Sequence, residues 1–212
     1  GKKLVGFDAS GLELRMLATY IDNKEYTTEV INGDIHTANQ HLAGRESRDQ
    51  AKTFIYALLY GSGDENLGSV SSAGRAAGKT LRERFMSNLT AYADLKDRIV
   101  RESEQGTIEG LDGRLLHIRS AHSALNTLLQ SAGAIVMKKA MCLLEEYATM
   151  WKLDYYFVGN IHDEVQAEVR SDHADKYGRL AVSCLEAAGT ELGLNCKLTG
   201  EYQVGSSWAD TH

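Results

Sequence analysis

The chain has 212 residues, 43% of them hydrophobic and 25% charged, a balance that fits a soluble globular protein with a substantial core, in one or two domains. Its formal net charge of −6 argues against a stand-alone nucleic-acid binder, because phosphate binding draws on Lys and Arg. No apolar run approaches the ~20 residues of a membrane span and no signal-peptide pattern opens the chain, so no membrane partner is expected. Cys142, Cys184 and Cys196 are odd in number and lack metal-type spacing, and they read as reduced thiols of a cytoplasmic protein. Proline is absent, so helices can run uninterrupted.

In chain order, LVGFD (Leu4–Asp8) is an apolar strand ending on an acid. LELRMLATYI sets Leu12, Leu14, Leu17, Ala18 and Ile21 at mostly helical spacing, and Asn32–Asp34 marks a turn before a short helix at IHTANQHLA. Ser47–Tyr60 reads as a strong helix with Ser47 as N-cap and Gly61 after the last turn. GSGDENLGSVSSAG reads as short turns around one weak helix, followed by charged helices over roughly Arg75–Ser87 and Ala91–Glu104. TIEGLDGRLLHI is a hairpin about Asp112-Gly113, a pair suited to a tight turn. Ser123–Met150 is a long apolar helix, and DYYFVGNIHDEVQAEV gives two strands. Ala174–Leu192 is an amphipathic helix with Tyr177, Leu180, Ala181, Cys184, Leu185, Ala188 and Leu192 inward, and a last short strand follows. The order predicts an α+β fold in which the first strand and the late hairpin are free to share one sheet.

GRAAGKT (Gly74–Thr80) imitates a phosphate-binding loop, but it has three residues between its glycines where four are needed, and no apolar strand precedes it. It reads instead as a glycine-containing helix start with Lys79 on a solvated face. A different constellation carries chemistry. Asp8 closes one strand and Asp163 sits at the turn between two others. If these strands are sheet neighbours, the carboxylates converge into a hard oxygen site suited to Mg²⁺. Two such ions about 4 Å apart serve an in-line phosphoryl or nucleotidyl transfer.

On the Ser47–Tyr60 helix, Arg48, Lys52, Tyr56 and Tyr60 recur every four residues, each step turning only about 40° around the axis. Cations near a helix N-terminus add to its positive end, a cost that an anionic ligand would offset, and the aromatics offer faces to a base or sugar. From these residues alone, a surface hairpin with solvated acids and a helix with core tyrosines and solvated cations stay open.

DASGLELRMLA resembles the first palm motif of family A DNA polymerases, RDQAKTFIYALLYG their fingers-helix motif R-x3-K-x3-(F/Y)-x3-Y-G, and IHDEV their palm hairpin. The three occur in the family's order, with DIH, LDGR, Asn126-x3-Gln130 and a closing W-x3-H also in place. The resemblance covers essentially the whole chain and is closest to the phage replicative branch, whose motifs carry Ala9 and Tyr56.

That resemblance implies a right-hand fold without its thumb: palm over residues 1–34, helical fingers over 35–108 and palm again over 109–212. It implies template-directed transfer of dNMP from a dNTP to a primer 3′-hydroxyl, with two Mg²⁺ ions as cofactors. Asp8 and Asp163 resemble the metal-bridging aspartates, the Ala9 carbonyl a further ligand and Glu164 a secondary one. Arg48, Lys52 and His36 resemble the triphosphate contacts, Lys52 also as proton donor to pyrophosphate. Tyr56 resembles the residue beneath the incoming nucleotide, Tyr60 the gate by the templating base and Glu13 the side chain that excludes a 2′-hydroxyl. Asn126, Gln130 and Arg114 resemble primer–template DNA contacts, and His162 the residue positioning the primer end.

The sequence also departs from the family. His122 stands where the bacterial branch has Arg, and the thumb, the earlier palm strands and any exonuclease would precede Gly1. GSSWADTH, by contrast, resembles the family's C-terminus. The implied protein is one part of a split or truncated polymerase that works with a separate N-terminal half, in the cytoplasm of a bacterium or a phage-infected host. Two other classes compete: a catalytically idle DNA-binding or structural polymerase subunit, and a two-metal phosphohydrolase using His162-Asp163. The intact acids and cations speak against the first, and the shortage of further histidine and acid ligands speaks against the second.

Overall fold

The structure is a computed structural model describing residues 1–69 and 74–212; the part of the Gly/Ser-rich turn expectation that falls on residues 70–73 lies outside the described residues. The fold is α+β. It divides into two compact units: Gly1–Met16 with Ser131–His212, and Leu17–Gln130. This division differs from the expected boundaries after residues 34 and 108, and it falls inside two helices, α1 (Leu12–Ile21) and α8 (Ala124–Met150).

The first unit is built on a four-stranded antiparallel sheet of β1 (Lys2–Ala9), β4 (Tyr155–Ile161), β5 (Glu164–Arg170) and β6 (Gly200–Gly205), in the order β4-β5-β1-β6. The first strand and the late hairpin do share this sheet, with Asp8 opposite Glu164 on one side and Glu201 on the other. Val5, Phe7, Val165, Ala167 and Val169 are buried, and α9 (Ala174–Glu191) packs on the sheet. Its inward residues are those expected, except that Leu192 is only half-buried. Gly178 is also buried there, because a Cβ would run into the Tyr202 ring. The other face of β1 is closed at Gly6 by Gln166 and by the segment around Thr211, again with no room for a Cβ. A bulge between Phe157 and Gly159 interrupts the β4–β5 register.

The second unit holds α2 (Lys24–Asn32), α3 (Ile35–Ala43), α4 (Arg48–Leu59), α5 (Asp64–Ser69), α6 (Gly74–Asn88), α7 (Thr90–Ser103) and a hairpin of β2 (Thr107–Glu109) and β3 (Leu115–His117). Helix α2 was not expected; its buried face is only Tyr26 and Val30, too narrow a stripe to show as periodicity, yet Asn23 caps it. Ser47 caps α4 as expected, accepting from Gln50 N at 3.3 Å. Phe54, Phe85 and Tyr92 form the aromatic core, with Phe85 edge-on to both neighbours at 5.9 and 5.4 Å.

At GRAAGKT the chain runs as helix α6. Lys79 is exposed beside Glu83, while Gly78 and Gly68 let the α5 and α6 backbones touch. The β2–β3 turn is one residue longer than the tight turn expected. Gly110 and Arg114 close it at 2.8 Å and Gly113 takes φ +80°, the three-residue form with a left-handed glycine.

Ala121–Met150 is, among the described residues, the one helical run with the length and hydropathy of a membrane span, at a mean hydropathy of 1.2, against the expectation that no run comes close. Just over half of that window, 56%, is buried inside the protein, and Gly133 lies against Leu12, which ties the apolar face to the core.

Candidate active site

In the first unit, the β4–β5 hairpin turns through two residues, His162 and Asp163, between the paired Ile161 and Glu164. His162 takes φ +56°, the left-handed value that such a hairpin requires at its first turn position. This throws Asp163 to the strand end, where its carbonyl accepts from Ala9 N at 3.0 Å. Asp8 and Asp163 are thus carried to the same end of neighbouring strands by the backbone ladder.

Both carboxyls are pushed above their usual range. Burial is the largest cause for Asp8, followed by the charges of Asp163, Glu201 and Glu164. Burial also leads for Asp163, with Glu13 and Glu164 adding to it. Among the described residues neither forms an ion pair, and no three His, Cys, Asp or Glu side chains close on one point. A pair of crowded hard carboxylates with no ion-pair partner among the described residues is a donor set that fits Mg²⁺, an ion that takes one or two carboxylates and completes its shell with water and phosphate.

Glu164, expected as a secondary ligand at the metal centre, has both oxygens committed to protein donors. Oε1 accepts from Trp208 Nε1 at 2.7 Å and Gln166 Nε2 at 2.6 Å, and Oε2 lies 2.6 Å from His212 Nδ1. Burial works against its charge, but the Gln166, His212 and Trp208 contacts together outweigh it and hold the carboxyl below its usual range. Two further residues here were not anticipated. Glu201 faces Asp8 across the ladder, and buried Arg15 ties the loop after β1 to the Ser10 carbonyl at 2.7 Å and to the Lys197 carbonyl. Only the acid opening the last short strand hinted at Glu201.

In the second unit, α4 turns Ala51, Phe54, Ile55, Leu58 and Leu59 inward and leaves Arg48, Lys52 and Tyr60 exposed, with Tyr56 half-buried. Tyr56 stacks on Tyr60, ring centroids 6.3 Å apart, and lies 6.3 Å from the His36 ring. Asp34 caps α3 through His36 N and Thr37 N and also accepts from Arg48 Nε at 2.8 Å, which holds the Asp34 carboxyl far below its usual range. His36 is held below its ordinary value by burial, then by Arg48 and Lys52, which favours the neutral imidazole. Lys52 forms no ion pair among the described residues.

Asn126 and Gln130 lie one turn apart on α8, both half-buried. Arg114 is exposed and folded back on Asp112 through Nε and Nη2.

A model of the family described as "DNA polymerase family A" matches residues 1–210. The chain is 41% identical over 232 residues to the "DNA-directed DNA polymerase" of Enterobacteria phage T3, and equally to that of Escherichia phage T7, covering 98% of this chain and 33% of each relative. It is 25% identical to the "DNA polymerase I" of Aquifex aeolicus, over 98% of this chain and 39% of that protein. The chain therefore spans about a third of the length of the phage relatives. Among solved structures, the POL domain of Pol1 from M. smegmatis, in complex with DNA primer-template and dNTP, matches with a TM-score of 0.86 at 21% identity, over 97% of this chain and 40% of that one.

Proposed function

Because the chain belongs to DNA polymerase family A, we propose that it is the fingers and catalytic half-palm of a DNA-dependent DNA polymerase. It transfers dNMP from a dNTP to the 3′-hydroxyl of a primer paired to template DNA. The observation that carries this reading is the paired, burial-crowded carboxylates of Asp8 and Asp163 at adjoining strand ends. Asp8, Asp163 and the Ala9 carbonyl are the donors proposed for two Mg²⁺ ions. When bound, these supply neutralisation of phosphate charge and activation of the attacking hydroxyl.

The chain's own side chains do the rest. Lys52 and Arg48 hold the triphosphate, Arg48 by leaving Asp34, and Lys52 gives a proton to the departing pyrophosphate. Neutral His36 donates one hydrogen bond to phosphate oxygen. Tyr56 lies under the sugar and base, Tyr60 beside the templating base, and Glu13 rejects a 2′-hydroxyl. Asn126, Gln130, Arg114 and His162 contact DNA. Glu164, tied to Trp208 and His212, acts on the hairpin's position rather than on an ion.

The reaction also needs a thumb, which in this reading a separate N-terminal polymerase half provides, in the cytoplasm of a bacterium or a phage-infected host. Primer extension tests this: with Mg²⁺, incorporation appears when a thumb-bearing half is added and stays near background without it. Failure to extend with a matched half, while primer-template is still bound, would instead mark an idle DNA-binding subunit.

A further inference from the structure

Away from the proposed catalytic residues, the second unit encloses a cavity of about 250 Å³ between the end of α4, α7 and the start of α8. Most of its wall is apolar, supplied by Leu58, Leu59, Tyr92, Ile99 and Leu125. Two cationic groups interrupt it. Arg82 gives one Nη to Asp64, but its Nε is buried with no acceptor. Lys96 is half-buried and makes no ion pair or hydrogen bond among the described residues; burial, then the charge of Arg82, lowers its pKa, and Asp97 and Asp64 only partly offset this. The wall therefore carries an ammonium with no ion-pair partner among the described residues, next to apolar surface. Neither feature is favourable while the space stays unfilled.

The volume lies above the ~150 Å³ that accommodates benzene and below the ~300–1,000 Å³ of drug-sized pockets. We propose that this cavity binds a small amphipathic monoanion, a carboxylate with an aromatic or short alkyl body. The carboxylate meets Lys96 Nζ, and the body packs against Leu58, Ile99 and Leu125. Since Leu58 and Leu59 end α4 and the Gly61–Gly63 segment follows it, an occupant braces that end against α7. The site is independent of the polymerase reading and is tested without turnover.

Ligand-observed ¹⁹F NMR on the 212-residue chain uses 4-fluorobenzoate against 4-fluorobenzyl alcohol, with 8-fluorooctanoate against 8-fluorooctanol to separate aromatic from alkyl bodies. At least one acid is expected to bind about tenfold more tightly than its alcohol, the size of a charge-assisted hydrogen bond. Lys96→Met should weaken that acid by about tenfold and leave the alcohol within about twofold. Val100→Trp, which fills the space, should abolish both; if that protein melts early, Ser62→Leu on the facing loop replaces it. Equal binding of acid and alcohol, an unchanged affinity in Lys96→Met, binding that survives filling, or no binding by about 10 mM would overturn the proposal.

Discussion

The acids of the first unit and the cations of the second are held by opposite means. Asp8 and Asp163 are fixed by a backbone ladder, crowded by other carboxylates and given no ion-pair partner among the described residues, so the fold bears their charge as a cost. Arg48 and Lys52 stand on an exposed helix face, and Arg48 already has a partner in Asp34 that a phosphate can replace. A carboxylate pair held under strain gains by taking up metal, whereas an exposed cation is available at little cost. Removing an acid should therefore stabilise the protein as it abolishes activity. Removing a cation should lower activity alone.

The comparison breaks most sharply at Asp163. Asp163→Asn should reduce primer extension by about 10³-fold in the complemented enzyme with no loss of melting temperature. Near-normal extension by the D163N protein would remove the metal assignment. Lys52→Ala should lower kcat by about 10²-fold, the usual scale for a lost general acid, while thermal melting stays the same. A melting shift there would show that the helix face is not the low-cost surface described.

Gly78→Ala addresses stability instead. A Cβ would strike the Asp64 carbonyl, so the α5–α6 contact should lose about 1–3 kcal/mol. Hydrogen exchange should speed up in α5 and α6 while the four-stranded sheet keeps its protection. The smallest effect is electrostatic. A carboxyl whose pKa is raised on folding stabilises the protein below its unfolded value, and that contribution is lost as pH rises through the folded value. Without divalent ions, melting temperature should therefore fall as pH climbs above the ordinary carboxylate range. Asp8→Asn should flatten this profile and cancel the stabilisation by Mg²⁺; a profile identical to that of the unaltered protein would contradict the crowding of the pair.

What could be read from the sequence was whatever short-range chemistry writes there. Ser47 announced its cap, every fourth residue from Arg48 to Tyr60 announced a face, and the apolar run into Asp8 announced a strand end. The partners of Glu164 escaped because Trp208 and His212 lie far along the chain, and no local spacing reveals what a carboxylate accepts from. Glu201 escaped for the same reason: only strand order sets it opposite Asp8. The hairpin at Asp112-Gly113 was found but its loop length was not, since Gly110 and Arg114 close the turn through backbone alone. Helix α2 was hidden by its two-residue core face.

Strand β4 lies at the edge of its sheet and carries Tyr156 and Val158 at 62% and 59% exposure. A flat, apolar edge of this kind is where one molecule recruits another into a growing sheet. Two features blunt it: the bulge after Phe157 spoils the regular row of backbone donors, and the Lys2 ammonium sits 4.1 Å above the Tyr156 ring. This edge is thus guarded by one irregularity and one charge, and an N-terminal trim that takes Lys2 leaves the bulge as its guard.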